Sequence, residues 1–168
     1  AMVVLARMGG EGADLPSDMS QAKYSEISKD YKDFSAGESY LHLSKTESDL
    51  LDMVCGRFGN VIVVYDGFNP MEMGFLNEYP QIKSAVWCAG PGQTGFNALG
   101  RILNGEVNPS GKLPDTIVYD QKSTPWWNNV GDFKYTNMNE FMVDKKDPYM
   151  GGAVPTFVNY VEGIYVGY

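Results

Sequence analysis

Three short stretches of this sequence carry residue types and spacings suited to chemistry. The first is Arg7-Met8-Gly9-Gly10-Glu11-Gly12-Ala13-Asp14, directly after an apolar run. A glutamate among three glycines has little bulk around it, so a substrate can approach its carboxyl closely. Ligands of open α/β sheets bind beyond the carboxyl ends of the strands, which is where this loop falls. By residue type alone, Glu11 is either a proton-transfer carboxyl or a solvated loop acid. Arg7 and Asp14 flank it and suit positioning by an ion pair or hydrogen bonds, or are plain surface charges. The second stretch, Gly90-Pro91-Gly92-Gln93-Thr94-Gly95, matches the G-x-G-x-x-G fingerprint of dinucleotide binding. Pro91 removes one of the amides that fingerprint relies on, and Asp115 and Asp120 only loosely supply its expected acid. A tight strand-to-helix turn is the better account. The third, Asn104 to Thr116, is a helix stop followed by a turn. Pro109 and Pro114 stiffen it, and Gly105 and Gly111 are free to take positive φ.

The elements that must position these groups read as an α/β order. Val3–Ala6, Asn60–Tyr65 and Ser84–Ala89 are short unalternating apolar runs, as expected of strands buried on both faces of a parallel sheet. Between the first two lies a capping box, Ser44-Lys45-Thr46-Glu47. Leu50, Leu51, Val54, Cys55 and Phe58 follow on one helical face, with Gly59 as the stop. A shorter helix is expected from Met71 to Tyr79. Another is expected from Thr94 to Leu103, with Phe96, Leu99, Ile102 and Leu103 inward, and Thr116–Tyr119 suits a further strand. The fold class expected is a three-layer α/β sandwich, flavodoxin-like and truncated, with a mainly parallel sheet and helices on both faces. Residues 1–168 read as a single domain fragment with irregular excursions at about 12–43 and 120–160.

Composition narrows the function classes. The chain has 168 residues, 43% hydrophobic and 20% charged, enough for one domain with a sizeable core. Its net charge of −8 and scattered basic residues argue against nucleic acid. No apolar run reaches the length of a membrane span. Cys55 and Cys88 read as small buried hydrophobes, or at most one disulfide. With one histidine, His42, read as solvated, no metal or cofactor is expected. The acidic, cysteine-poor composition leans towards a cytoplasmic protein. Ala1-Met2 runs straight into an apolar strand, which reads as a fragment of a longer polypeptide.

Gly92 to Thr116 strongly resembles the helix-plus-turn hallmark of the second domain of family 3 glycoside hydrolases. Asn69-Pro70-Met71-Glu72-Met73 resembles the loop that precedes it, and Asn159 to Tyr168 a segment that closes it. Arg7 to Asp14 resembles the loop that carries the acid/base glutamate in many members. The matches run in the family's order along the whole chain. The resemblance implies a retaining β-glycosidase acting exo on β-glucosides or related oligosaccharides. Glu11 is then the acid/base, with Arg7 and Asp14 as supporting residues. It also implies a nucleophilic aspartate on a TIM-barrel domain that has no counterpart here, so that domain becomes the expected partner. Members differ in domain order, which leaves open the side on which the barrel lies. Asp66 is a plausible loop-stabilising acid. Trp126 and Trp127 suit sugar stacking, or more readily packing against the barrel. Two other readings stand beside this one: a non-catalytic sugar-binding domain of the same fold, and a nucleotide-binding domain using Gly90 to Gly95. Strands deprived of neighbours by truncation further imply self-association into a homo-oligomer.

Overall fold

A computed structural model describes residues 1–9, 15–21, 32–127, 135–157 and 160–165. The chain divides into two compact units, Ala1–Tyr119 and Asp120–Tyr168. The first holds a three-stranded parallel sheet in the order β1-β2-β3, with β1 at Met2–Ala6, β2 at Val61–Asp66 and β3 at Ile82–Trp87. Helix α1, Lys45–Cys55, lies between β1 and β2 in the chain, and α2, Phe96–Leu103, follows β3. This is an α/β arrangement.

The central strand is the one buried on both sides. Its neighbours Val63 and Val64 point to opposite faces and both are fully buried. Strand β1 instead alternates. Val3 and Leu5 are buried, whereas Met2 and Val4 are 54% and 43% exposed. The expectation of strands buried on both faces therefore fails at both outer strands: at β1, and at β3, where Lys83, Ser84 and Ala85 are exposed. An edge strand needs apolar side chains inward only on its covered face, and an unalternating run does not reveal where the sheet ends. The main core gathers Val3, Leu5, Leu51, Cys55, Val63 and Tyr65.

Ser44 caps α1 as the capping box predicts. Its hydroxyl accepts from the Glu47 amide at 3.3 Å, and the Ser44 amide donates to the Glu47 carboxylate at 2.9 Å. Gly56 ends the helix, earlier than the expected Gly59, so Phe58 lies beyond it and is half exposed. α2 begins at Phe96 rather than Thr94. Leu99 is its buried residue, while Phe96 is half exposed and not inward.

Two expected elements are absent from the described residues. Met71 to Tyr79 forms only a 3-10 turn, Gly74–Asn77. Gly74 lies so close to the Tyr119 carbonyl that a Cβ there would sit 2.8 Å from its oxygen. That contact also explains Thr116–Tyr119, which forms no strand: the Val118 carbonyl accepts from the Met73 amide at 3.1 Å and so anchors the turn instead. Gly105 takes positive φ at +84° after α2, whereas Gly111 does not.

The second unit is built from turns. Among its described residues are the 3-10 turns Gln121–Ser123, Met138–Phe141 and Gly163–Tyr165. Val143 donates to Ala153, and Gly152 to Val143, both at 3.0 Å. Asp147 closes the intervening loop by accepting from the amides of Met150 and Tyr149, which hold its carboxyl below the usual aspartate range. The Tyr135 and Phe157 rings stack at 4.2 Å.

Candidate functional site

The carboxyl ends of the three strands open onto one cavity of about 500 Å³, lined among others by Arg7, Gly9, Asp66, Phe68, Pro91 and Phe96. The loop after β2 is firmly built. The Tyr65 hydroxyl donates to the Asn69 carbonyl at 2.5 Å, and the Trp87 indole N–H to the Gly67 carbonyl at 2.6 Å. Burial pushes the Tyr65 phenol up to about 12, so it remains a donor throughout the neutral range. Phe68 is thereby held at the cavity, 62% exposed. Two glycines give it room: a Cβ on Gly9 would press on Phe68 and Asn69, and one on Gly90 would overlap the Phe68 ring.

That packing bears on the glycine fingerprint. Gly90 and Gly92 take φ of +57° and +63°, and the Gly95 amide donates to the Pro91 carbonyl at 3.0 Å. The Phe68 ring packs against Gly90, whereas a Cβ on Gly92 would meet nothing within 4 Å. The segment is a tight strand-to-helix turn.

Arg7, immediately after β1, is almost fully buried, with 6% of its side chain exposed. Its guanidinium makes a two-pronged ion pair with Glu47, the Nε bond measuring 2.9 Å. The remaining donors reach the Tyr40 carbonyl and, at 2.6 Å, the His42 carbonyl. The Tyr40 ring lies 5.5 Å from the guanidinium, within cation–π range. Arg7 is therefore no surface charge. Glu47 is at once the capping residue of α1 and the partner of Arg7.

Tyr40 in turn touches both sides of the glycine loop. Its hydroxyl donates to the Met8 carbonyl at 2.6 Å, and its amide to the Pro16 carbonyl at 3.1 Å. His42 is not simply solvated: Nδ1 lies 2.7 Å from the mostly buried Glu72 carboxylate and Nε2 lies 3.5 Å from Glu38. Glu11 and Asp14 lie outside the described residues. Asp66 is placed at the end of β2, on the cavity. Trp126 belongs to the second unit and is 38% exposed. Both cysteines are free; burial raises each thiol, and Asp66 adds to the effect at Cys88. Cys55 is buried as expected, but Cys88 is partly exposed. Among the described residues no cluster of His, Cys, Asp or Glu is arranged to hold a metal, and no helix is long and apolar enough to cross a membrane.

Sequence reasoning missed Tyr40, the second role of Glu47, and Phe68. The S-x-x-E pattern marks Glu47 as a cap and says nothing of Arg7. Tyr40 stands in a polar stretch without periodicity. Phe68 follows a strand beside Gly67, a weak signal on its own.

Comparison with known proteins adds the lineage. Residues 2–168 match the glycosyl hydrolase family 3 C-terminal domain. A beta-glucosidase of Ruminococcus albus is 40% identical over 88 residues, covering 52% of this chain and 9% of that protein. Beta-glucosidase A of Butyrivibrio fibrisolvens is 28% identical over 176 residues, covering 100% of this chain and 18% of that protein. A probable beta-D-xylosidase 6 of Arabidopsis thaliana is 43% identical over 56 residues, 33% of this chain and 7% of its own length. The chain thus spans less than a fifth of each of these relatives. No solved structure matches it. Its parallel α/β sheet and the family match across nearly all of its length agree: the chain belongs to the glycosyl hydrolase family 3 C-terminal domain family.

Proposed function

We propose that this chain is part of a retaining β-glycosidase of the β-glucosidase type, to which it contributes Glu11 as the general acid/base. The observation that carries the reading is the origin of the Glu11 loop at the carboxyl end of β1. There Arg7 and Gly9 line a cavity shared with Asp66, Phe68 and Phe96. The relatives named beta-glucosidase support the reaction class.

Retention of configuration uses two carboxyl groups roughly 5–5.5 Å apart, one a nucleophile and one a proton donor. The donor protonates the leaving oxygen in the first step and deprotonates water in the second. It must hold its proton near neutral pH, which burial or a neighbouring carboxylate brings about. The second carboxylate comes from a segment outside this chain, in the partner barrel. Arg7 supports the loop through its buried ion pair with Glu47, and Asp14 is a second supporting residue. On the chain alone Glu11 lacks its partner, so the chain alone is inactive. Detectable hydrolysis of an aryl β-glucoside by these residues alone would refute that.

The test of the assignment is Glu11→Gln in the full-length polypeptide that carries this chain. Turnover of glucosides with poor leaving groups should fall by about 10²–10⁴-fold, the usual scale of acid catalysis. A dinitrophenyl leaving group, which departs without a proton, should restore most of it. Equal losses with both substrates would leave Glu11 a sugar-binding residue of a non-catalytic domain.

A further inference from the structure

We infer that Tyr40 is a positioning residue for the acid/base loop, a clasp that joins the loop's two stems; this rests on the reading of Glu11 given above. Met8 precedes Glu11 and Pro16 follows it, and Tyr40 bonds the carbonyls of both, the first through its hydroxyl and the second through its backbone amide. One residue therefore sets the distance between the stems. Three residues of the segment, Gly9, Gly10 and Gly12, have no side chain with which to hold it.

The clasp is itself anchored from both directions. On the sheet side, Arg7 grips the Tyr40 carbonyl and lies beneath its ring, while Glu47 neutralises the buried guanidinium. On the other side, the buried Leu41 offers its carbonyl to the Glu72 amide at 2.9 Å, and the His42 ring meets the Glu72 carboxylate. A second bond to the outgoing stem, from the Met19 amide to the Glu38 carbonyl at 2.7 Å, runs beside the first. Glu38 to His42 is thus a strap fixed to β1, to α1 and to the segment after β2. Among the described residues the phenol is the group of the strap that bonds the Met8 carbonyl, one residue beyond Arg7. Proton transfer needs its donor held to within a few tenths of an ångström, so the clasp belongs to the chemistry rather than to overall stability.

Tyr40→Phe isolates this contribution, because it keeps the ring over Arg7 and the amide to Pro16 and removes only the hydroxyl. In the full-length polypeptide, kcat/KM for glucosides with poor leaving groups should fall about tenfold, the scale of one lost hydrogen bond. It should stay unchanged for a dinitrophenyl leaving group, and Tm should fall no more than the loss of one exposed hydrogen bond allows. In this chain alone, amide exchange should quicken between Met8 and Pro16 and not in α1. A loss equal across leaving groups, no loss at all, or a general rise in exchange would overturn the inference. Glu11→Gln is measured alongside. If that variant shows no dependence on the leaving group, the acid/base reading fails. If Glu11→Gln does and Tyr40→Phe does not, the clasp alone fails.

Discussion

At the scale of single residues, Glu47 carries two loads that substitution can separate. As the third residue of α1 it completes a capping box with Ser44, and as a carboxylate it neutralises an arginine with 6% of its side chain exposed. The first role needs only a hydrogen-bond acceptor, which glutamine retains. The second needs a negative charge. Removing one partner of a buried ion pair leaves the other uncompensated, at a cost of about 3 kcal/mol. A lost N-cap costs about 1 kcal/mol. Glu47→Gln should therefore destabilise the chain more than Ser44→Ala in urea denaturation, although it disturbs the helix cap less. Equal losses would show that the cap is the dominant role. Lys45 and Asp49, one turn apart on the same helix, form an exposed pair of the kind that contributes little.

At the scale of elements, what was legible in the sequence was whatever depends on near neighbours. The capping box at Ser44, the three parallel strands to within two residues, and the turn at Gly90 all rest on local chemistry. The segment from Met71 to Tyr79 failed because its conformation is decided by Tyr119, more than forty positions away, which Gly74 touches. Helix propensity predicts that Gly74→Ala stabilises, since alanine lowers the entropy of the unfolded chain. The geometry predicts the reverse: the added methyl would meet the Tyr119 carbonyl, and overpacking of this kind costs about 1–3 kcal/mol. A lowered Tm for Gly74→Ala would establish that the tertiary contact decides, and a raised one would discard the contact. The site divides along the same line. Glu11 lies outside the described residues; Arg7 stands in a local motif directly after a strand, whereas Tyr40 acquires meaning only from Met8 and Pro16, both distant in sequence. Glu47 was read for its local role and missed for its remote one.

At the scale of the molecule, both outer strands of the sheet, β1 and β3, lack a neighbour on one side among the described residues. A parallel sheet is stable when helices cover both faces, and β2 meets that condition while β1 does not. Met2 and Val4 lie on the uncovered face of β1, and the free edge of that strand carries unpaired amides and carbonyls among the described residues. Edges of this kind pair with other copies unless a charge or a covering segment intervenes. The chain on its own should therefore associate as its concentration rises, with sedimentation velocity showing a shift from monomer to dimer. Val4→Lys places a charge on the open face without touching the core formed by Val3 and Leu5, so it should suppress the dimer and leave Tm unchanged. A monomer at every concentration would mean that β1 is covered in solution. Persistence of the dimer in Val4→Lys would move the contact to the free edge of β3, where Lys83 and Ser84 are exposed and the strand likewise lacks an outer neighbour.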